Sequence, residues 1–108
     1  MIINPLVTVL IPAYNHENFI CEAINSLITQ SYDNIEVVIT NDGSTDNTHE
    51  KIMQLYNECT NRFVSFKYIN QENNGLIKSL KAMEQYINGK YITVLYSDDI
   101  FIKHLRKI

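Results

Sequence analysis

Short β-branched apolar runs, each ending in acidic and small polar residues, constrain this chain most. Ile35-Glu36-Val37-Val38-Ile39 leads into Asn41-Asp42-Gly43-Ser44, and Tyr91-Ile92-Thr93-Val94-Leu95 leads into Ser97-Asp98-Asp99. Runs of that length and composition have the pattern of buried parallel strands. In open α/β sheets, ligands sit beyond the carboxyl ends of such strands. Two acidic clusters at two strand ends can therefore face one pocket. Carboxylates crowded there repel one another unless a cation or a hydrogen-bonding ligand compensates. The combination points to a metal together with a phosphorylated, hydroxyl-rich ligand.

The rest of the chain alternates strand and helix. Residues 6–11 form the first predicted strand, broken by Pro12-Ala13-Tyr14-Asn15 because proline cannot donate to a sheet ladder. Asn15 is placed to cap a first helix whose apolar face is Ile20, Ala23, Ile24, Leu27 and Ile28. A second strand covers residues 35–40. Asp46 or Asn47 caps a second helix, with Thr48, Ile52, Leu55, Tyr56 and Cys59 on one face. Residues 63–69 alternate enough to be an edge strand. A third helix carries Leu76, Leu80, Met83 and Ile87 on one stripe and stops at Asn88-Gly89. The fourth strand covers residues 90–95. The order βαβαβαβ suits right-handed crossovers and a doubly wound α/β sheet.

With 108 residues there is room for one domain and one core, here residues 1–108. The apolar and basic tail after Asp99 has nothing of its own to pack against, so the domain is expected to continue beyond it. A net charge of −3 without a dense Lys/Arg run argues against nucleic acid as a partner. No apolar run approaches the roughly 20 residues that span a bilayer, and no signal peptide is evident at the start. Cys21 and Cys59 lack metal-ligand spacing and are expected to be reduced thiols of a cytoplasmic protein.

Each candidate motif has a plain structural use beside a functional one. Residues 42–46 can simply cap a helix and turn the chain, but Asp42 at a strand end can also accept hydrogen bonds from a base N–H or a ribose hydroxyl. Asp98 and Asp99 are not needed to end a strand, and hard oxygen ligands suit Mg2+ or Mn2+ with substrate phosphates completing the shell. Tyr14 can stack on a base. Asn73-Asn74-Gly75 opens a helix whose N-terminus attracts phosphate, and Lys78 and Lys81 in its first turns can add charge. His16, His49 and His104 are read as surface or capping residues.

Four of these segments occur in an order and spacing that resemble family 2 glycosyltransferases of the GT-A fold, over nearly the whole chain. They are residues 7–15 with Pro12-Ala13-Tyr14-Asn15, residues 35–46 with Asn41-Asp42-Gly43-Ser44-Thr45-Asp46, Glu72-Asn73-Asn74-Gly75-Leu76, and residues 89–99 ending in Ser97-Asp98-Asp99. The resemblance implies a strand order of 3-2-1-4 with helices on both faces. It implies a nucleotide-diphosphosugar donor, often UDP-linked, a divalent Mn2+ or Mg2+, and a saccharide or lipid-linked acceptor. By the same resemblance Pro12, Ala13 and Tyr14 line the base pocket, Asp42 binds the base, Gly75 lies near the donor, Asp98 contacts the donor and Asp99 binds the metal. Bacterial surface-polysaccharide assembly is a common role of the family, on a protein that is cytoplasmic or peripheral to the inner membrane face.

This chain departs from the family pattern where Asn41 and Tyr96 replace aspartates, lowering the negative charge. The general base of inverting members is expected beyond residue 108, so the chain alone is expected to be inactive, and the fourth strand is expected to expose an edge open to a second copy. A non-catalytic nucleotide or nucleotide-sugar module shares all these residues. A phospho-acceptor domain wants acidic residues after the first strand, and a dinucleotide-binding domain wants a glycine-rich turn there; Pro12-Ala13-Tyr14 offers neither.

Overall fold

Four strands pair in parallel in the computed structural model, which describes residues 4–96. They are β1 (Val7–Ala13), β2 (Ile35–Asp42), β3 (Ser65–Gln71) and β4 (Tyr91–Val94), in the order β3-β2-β1-β4. The crossovers carry α1 (Ile20–Ile28), α2 (Thr48–Gln54), α3 (Tyr56–Arg62) and α4 (Leu76–Glu84). Chain progression reverses at β1, which lies between β2 and β4, so the carboxyl ends of these strands frame the switch-point crevice.

Side-chain alternation sorts the two faces into three layers. Val9, Ile11, Val37 and Ile39 meet Ile20, Ile24 and Leu27 of α1, Ile52 of α2 and Cys59 of α3. Leu10 and Val38 meet Met83 of α4 on the other face, with Leu80 and Ile87 partly buried beside them. Each fully buried Ile or Leu is worth about 1.5–3 kcal/mol, so the first face carries most of the stability. Burial also pushes the Cys59 thiol up to about 12, which leaves it inert.

Five local expectations are corrected. β1 continues through Pro12 to Ala13. The carbonyl of Leu10 accepts from Leu95 N–H on the β4 side, and Pro12, two residues on, faces the same way. Its missing N–H therefore falls past the end of β4, where no ladder bond is lost. Asn15 does not cap α1; it has a φ of 51° and its side chain turns to Thr45 instead. The second predicted helix is two, α2 and α3, separated by a turn at Leu55 whose N–H bonds the Ile52 carbonyl. β3 begins two residues later than expected, at Ser65, with Phe63 buried before it. Leu76 is exposed rather than part of the buried stripe of α4, which is held by Ser79 and Met83. Asp46 does serve α2, accepting from the N–H and hydroxyl of Thr48.

Among the described residues β4 is the edge of the sheet, and Tyr91, Ile92 and Val94 on it are exposed. What fixes its start is a carboxylate. Glu36, 3% exposed, accepts from Thr8 Oγ1 (2.5 Å) and from Asn88 N–H (2.6 Å) through the same oxygen. The Gly89 N–H then donates to Thr8 Oγ1 (2.8 Å). A Cβ at Gly89 would lie 2.4 Å from that oxygen and 2.7 Å from the Thr8 backbone nitrogen, so glycine is required by close approach.

Glu36→Ala strands a buried hydroxyl and a backbone N–H and is expected to lower unfolding stability by about 3 kcal/mol, with Gly89→Ala also clearly destabilising. Glu58→Ala on the exposed face of α3 is expected to change it by less than about 0.5 kcal/mol. Urea denaturation checks this, and equal midpoints for Glu36→Ala and Glu58→Ala would contradict it.

Candidate functional site

The loops after β1, β2, β3 and β4 meet at the carboxyl end of the sheet around a cleft of about 260 Å³. Five residues singled out from the sequence line it: Pro12, Ala13, Tyr14, Asp42 and Gly75. Tyr14 is 46% exposed, leaving its ring free to stack on a ligand. Lys78 is exposed on α4 and is not among the lining residues. Asp98 and Asp99 lie outside the described residues.

Asp42 ends β2 on the α4 face and is buried. One carboxylate oxygen accepts the Asn74 N–H at 2.7 Å and the other the Gly75 N–H at 2.9 Å. Gln71 Nε2 adds a longer bond at 3.2 Å, and Asn73 Nδ2 reaches the Asp42 carbonyl at 3.2 Å. Burial alone would push this carboxyl up. The donors from Asn74, Gln71, Gly75 and Ser79 outweigh it and hold the group below the usual carboxylate range, so it is ionised at neutral pH. The loop can come this close because Gly43 has no side chain; a Cβ there would sit 2.4 Å from Asn73 N. Gly75 has a φ of 88°, a left-handed conformation that favours glycine, and stands at the N-cap of α4.

Five further residues line the cleft: His16, Asn73, Leu76, Ser79 and Tyr96. The His16 carbonyl accepts from Phe19 and Ile20 N–H, but no side chain caps α1, whose N-cap is Phe19, and His16 lines the cleft instead of only the surface. Its place two residues after Tyr14 on one loop is the signal that could have found it. Ser79 was legible as the position one turn after Gly75 on the face of α4 that buries Met83. Among the described lining residues Asp42 is the only formal charge, and no lysine or arginine joins it. An anion placed here needs a cation from elsewhere. Among the described residues no group of three or more His, Cys, Asp or Glu is gathered to hold one.

Comparison with known proteins agrees with the fold. The family model described as Glycosyl transferase family 2 matches residues 8–108. The glycosyltransferase GlyA of Streptococcus pneumoniae is 40% identical over 99 residues, 92% of this chain and 14% of that protein. The mannosyltransferase PcManGT of Pyrobaculum calidifontis, solved with GDP-Man and Mn2+, superposes with a TM-score of 0.82 at 24% identity, over 92% of this chain and 29% of that one. TarS 1–349 of S. aureus, solved with UDP-GlcNAc, superposes at 0.78 with 29% identity, over 91% of this chain and 28% of that one. The chain thus spans less than a third of each of these proteins. No helix among the described residues is long and apolar enough to cross a membrane.

Asp42→Asn puts an amide NH2 against one of the two backbone N–H groups and is expected to cost about 2–3 kcal/mol at neutral pH. Because the folded pKa of Asp42 lies below its unfolded value, the unfolded state binds more protons and stability rises with pH in this range. The contribution is complete above the unfolded value of about 3.9 and is lost as pH falls through the folded one. Asp46, lowered too, remains in both proteins and cancels in the difference. Denaturation at pH 7 and pH 2.5 should show the gap between wild type and Asp42→Asn closing in acid; a gap of constant size would refute the tether.

Proposed function

Since the chain belongs to glycosyl transferase family 2, we propose that it is the nucleotide-sugar-binding part of a glycosyltransferase, with residues 1–108 forming one donor-binding domain of a longer catalytic domain. The observation that carries this is the cleft where Tyr14 and an ionised Asp42 meet the start of α4. Tyr14 supplies a stacking surface for a base. Asp42 offers acceptors only, and the bond from Gln71 Nε2, at 3.2 Å, is the most readily exchanged. Such a group selects a base with a ring N–H, as in uracil or guanine, over cytosine or adenine, whose equivalent ring nitrogen is itself an acceptor. The UDP-GlcNAc bound by TarS and the GDP-Man bound by PcManGT are of that kind.

The cleft is near the lower limit of small-molecule sites, about 300 Å³, and suits the nucleoside end of the donor. The anionic diphosphate then needs a cation, because the described lining supplies none. Asp99, beside Asp98, is the hard oxygen donor assigned to hold Mn2+ or Mg2+, three residues after the cleft residue Tyr96. When bound, the metal supplies Lewis-acid stabilisation of the departing diphosphate. The protein residues bind and orient: Tyr14 and Asp42 hold the base, and the loop at Gly75 closes the wall beside it.

In the full reaction an acceptor hydroxyl, on a saccharide or a lipid-linked saccharide, attacks the anomeric carbon of the donor sugar. Asp42 is tethered to the loop and assigned to the nucleotide base, and it is the only carboxylate in the described cleft, so no described residue is assigned as general base. Assembly of bacterial surface polysaccharide, in the cytoplasm or against the inner face of the membrane, is the setting this reading favours.

Thermal unfolding tests the reading. UDP at about 100 times its dissociation constant should add roughly 2.7 kcal/mol of stability. The shift should be larger with Mn2+ than without, larger for UDP than for CDP, and reduced by Tyr14→Ala. Equal shifts for UDP and CDP would remove Asp42 as the base-reading group; no shift with any nucleotide at millimolar concentration would remove the donor site.

A further inference from the structure

Asn41 precedes Asp42 but lies on the opposite face of β2, 1% exposed and outside the cleft. Its Nδ2 donates to Tyr68 Oη (3.1 Å) and its Oδ1 accepts from Ser44 Oγ (2.5 Å). Ser44 Oγ in turn accepts the Asn15 N–H (2.9 Å), and Asn15 Oδ1 accepts the Thr45 N–H (2.8 Å). Asn15 is the residue with a φ of 51°, and the Tyr14 beside it lines the cleft. At the other end of the chain of bonds, Tyr68 Oη lies 2.9 Å from His49 Nδ1, and the two rings stack with centroids 5.8 Å apart.

We propose that Asn41 is a positioning residue that sets the Tyr14 loop through Ser44 and Asn15 and is itself oriented by the Tyr68–His49 pair. Its use for nucleotide binding rests on the donor-site reading; its control of the loop does not. An amide does here what a carboxylate cannot, donating on one side and accepting on the other. Tyr68 Oη accepts from Asn41, and we assign its single proton to His49 Nδ1, the ring nitrogen 2.9 Å away. His49 therefore carries its own proton on Nε2. In Asn41→Asp both side-chain oxygens are acceptors. The Tyr68 proton turns to the new carboxylate, and the proton of neutral His49 moves to Nδ1 to face the phenol oxygen.

NMR of the full chain, with imidazole nitrogen shifts read where His49 is neutral, tests the network. The wild type should show the Nε2–H tautomer and Asn41→Asp the Nδ1–H tautomer. Asn41→Ala should shift the Tyr14 and Asn15 amide resonances and weaken UDP binding about tenfold, the equivalent of one lost buried hydrogen bond, although residue 41 does not line the cleft. Tyr68→Phe, which keeps the ring, should move the same two resonances less, and serves should Asn41→Ala fail to fold. An unchanged tautomer in Asn41→Asp, or Tyr14 and Asn15 resonances unmoved in Asn41→Ala and Tyr68→Phe, would overturn the proposal. If wild type binds no UDP, the donor-site reading fails while the tautomer and the loop resonances still decide the role of Asn41.

Discussion

The bond pair between the Asp42 carboxylate and the N–H groups of Asn74 and Gly75 joins the end of one strand to the start of a helix 32 and 33 residues away. Without it the loop before α4 would carry two donors facing an unpartnered buried acid, and the cleft would lose a wall. The same bonds keep the carboxyl ionised despite its burial. A tethered anion at a strand end is thus both a structural fixture and an acceptor presented to a ligand.

β2 holds α4 at both ends. Asp42 at its carboxyl end takes the helix start, while Glu36 at its other end takes Asn88 beyond the helix stop. Apolar packing on this face is thin, with Met83 the only fully buried large side chain of α4. The helix therefore depends on two charge-assisted contacts where α1 depends on Ile20, Ile24 and Leu27. The carboxyl end of the sheet inherits its geometry from this asymmetry, because Gly75, Leu76 and Ser79 all belong to the helix so held or to its cap.

Much of this was legible in the chain itself. Strand and helix order followed from the β-branched runs and the 3.6-residue stripes, and strand order 3-2-1-4 followed from resemblance. Tyr14, Asp42 and Gly75 stand at a strand end or helix start, where parallel-sheet topology places ligands, and resemblance added Pro12 and Ala13; all five line the cleft. What stayed hidden depended on tertiary pairing. Pro12 looked like a strand breaker until the short β4 showed that its missing donor faced no partner. Leu76 matched a helical apolar stripe, yet it lies where the sheet ends and so faces the cleft. The reach of Glu36 to Asn88, 52 residues away, has no local signature at all. Asn41 looked like a weakened acid, whereas its amide joins three segments by donating and accepting at once.

Amide shift mapping during titration with UDP and Mg2+ tests the central claim most directly. Perturbations should concentrate at Tyr14, Asp42, Asn74 and Gly75, four positions distant in sequence, and should spare Thr8, Glu36 and Asn88 at the other end of the sheet. Perturbations centred on that far end, or scattered without focus, would contradict the account.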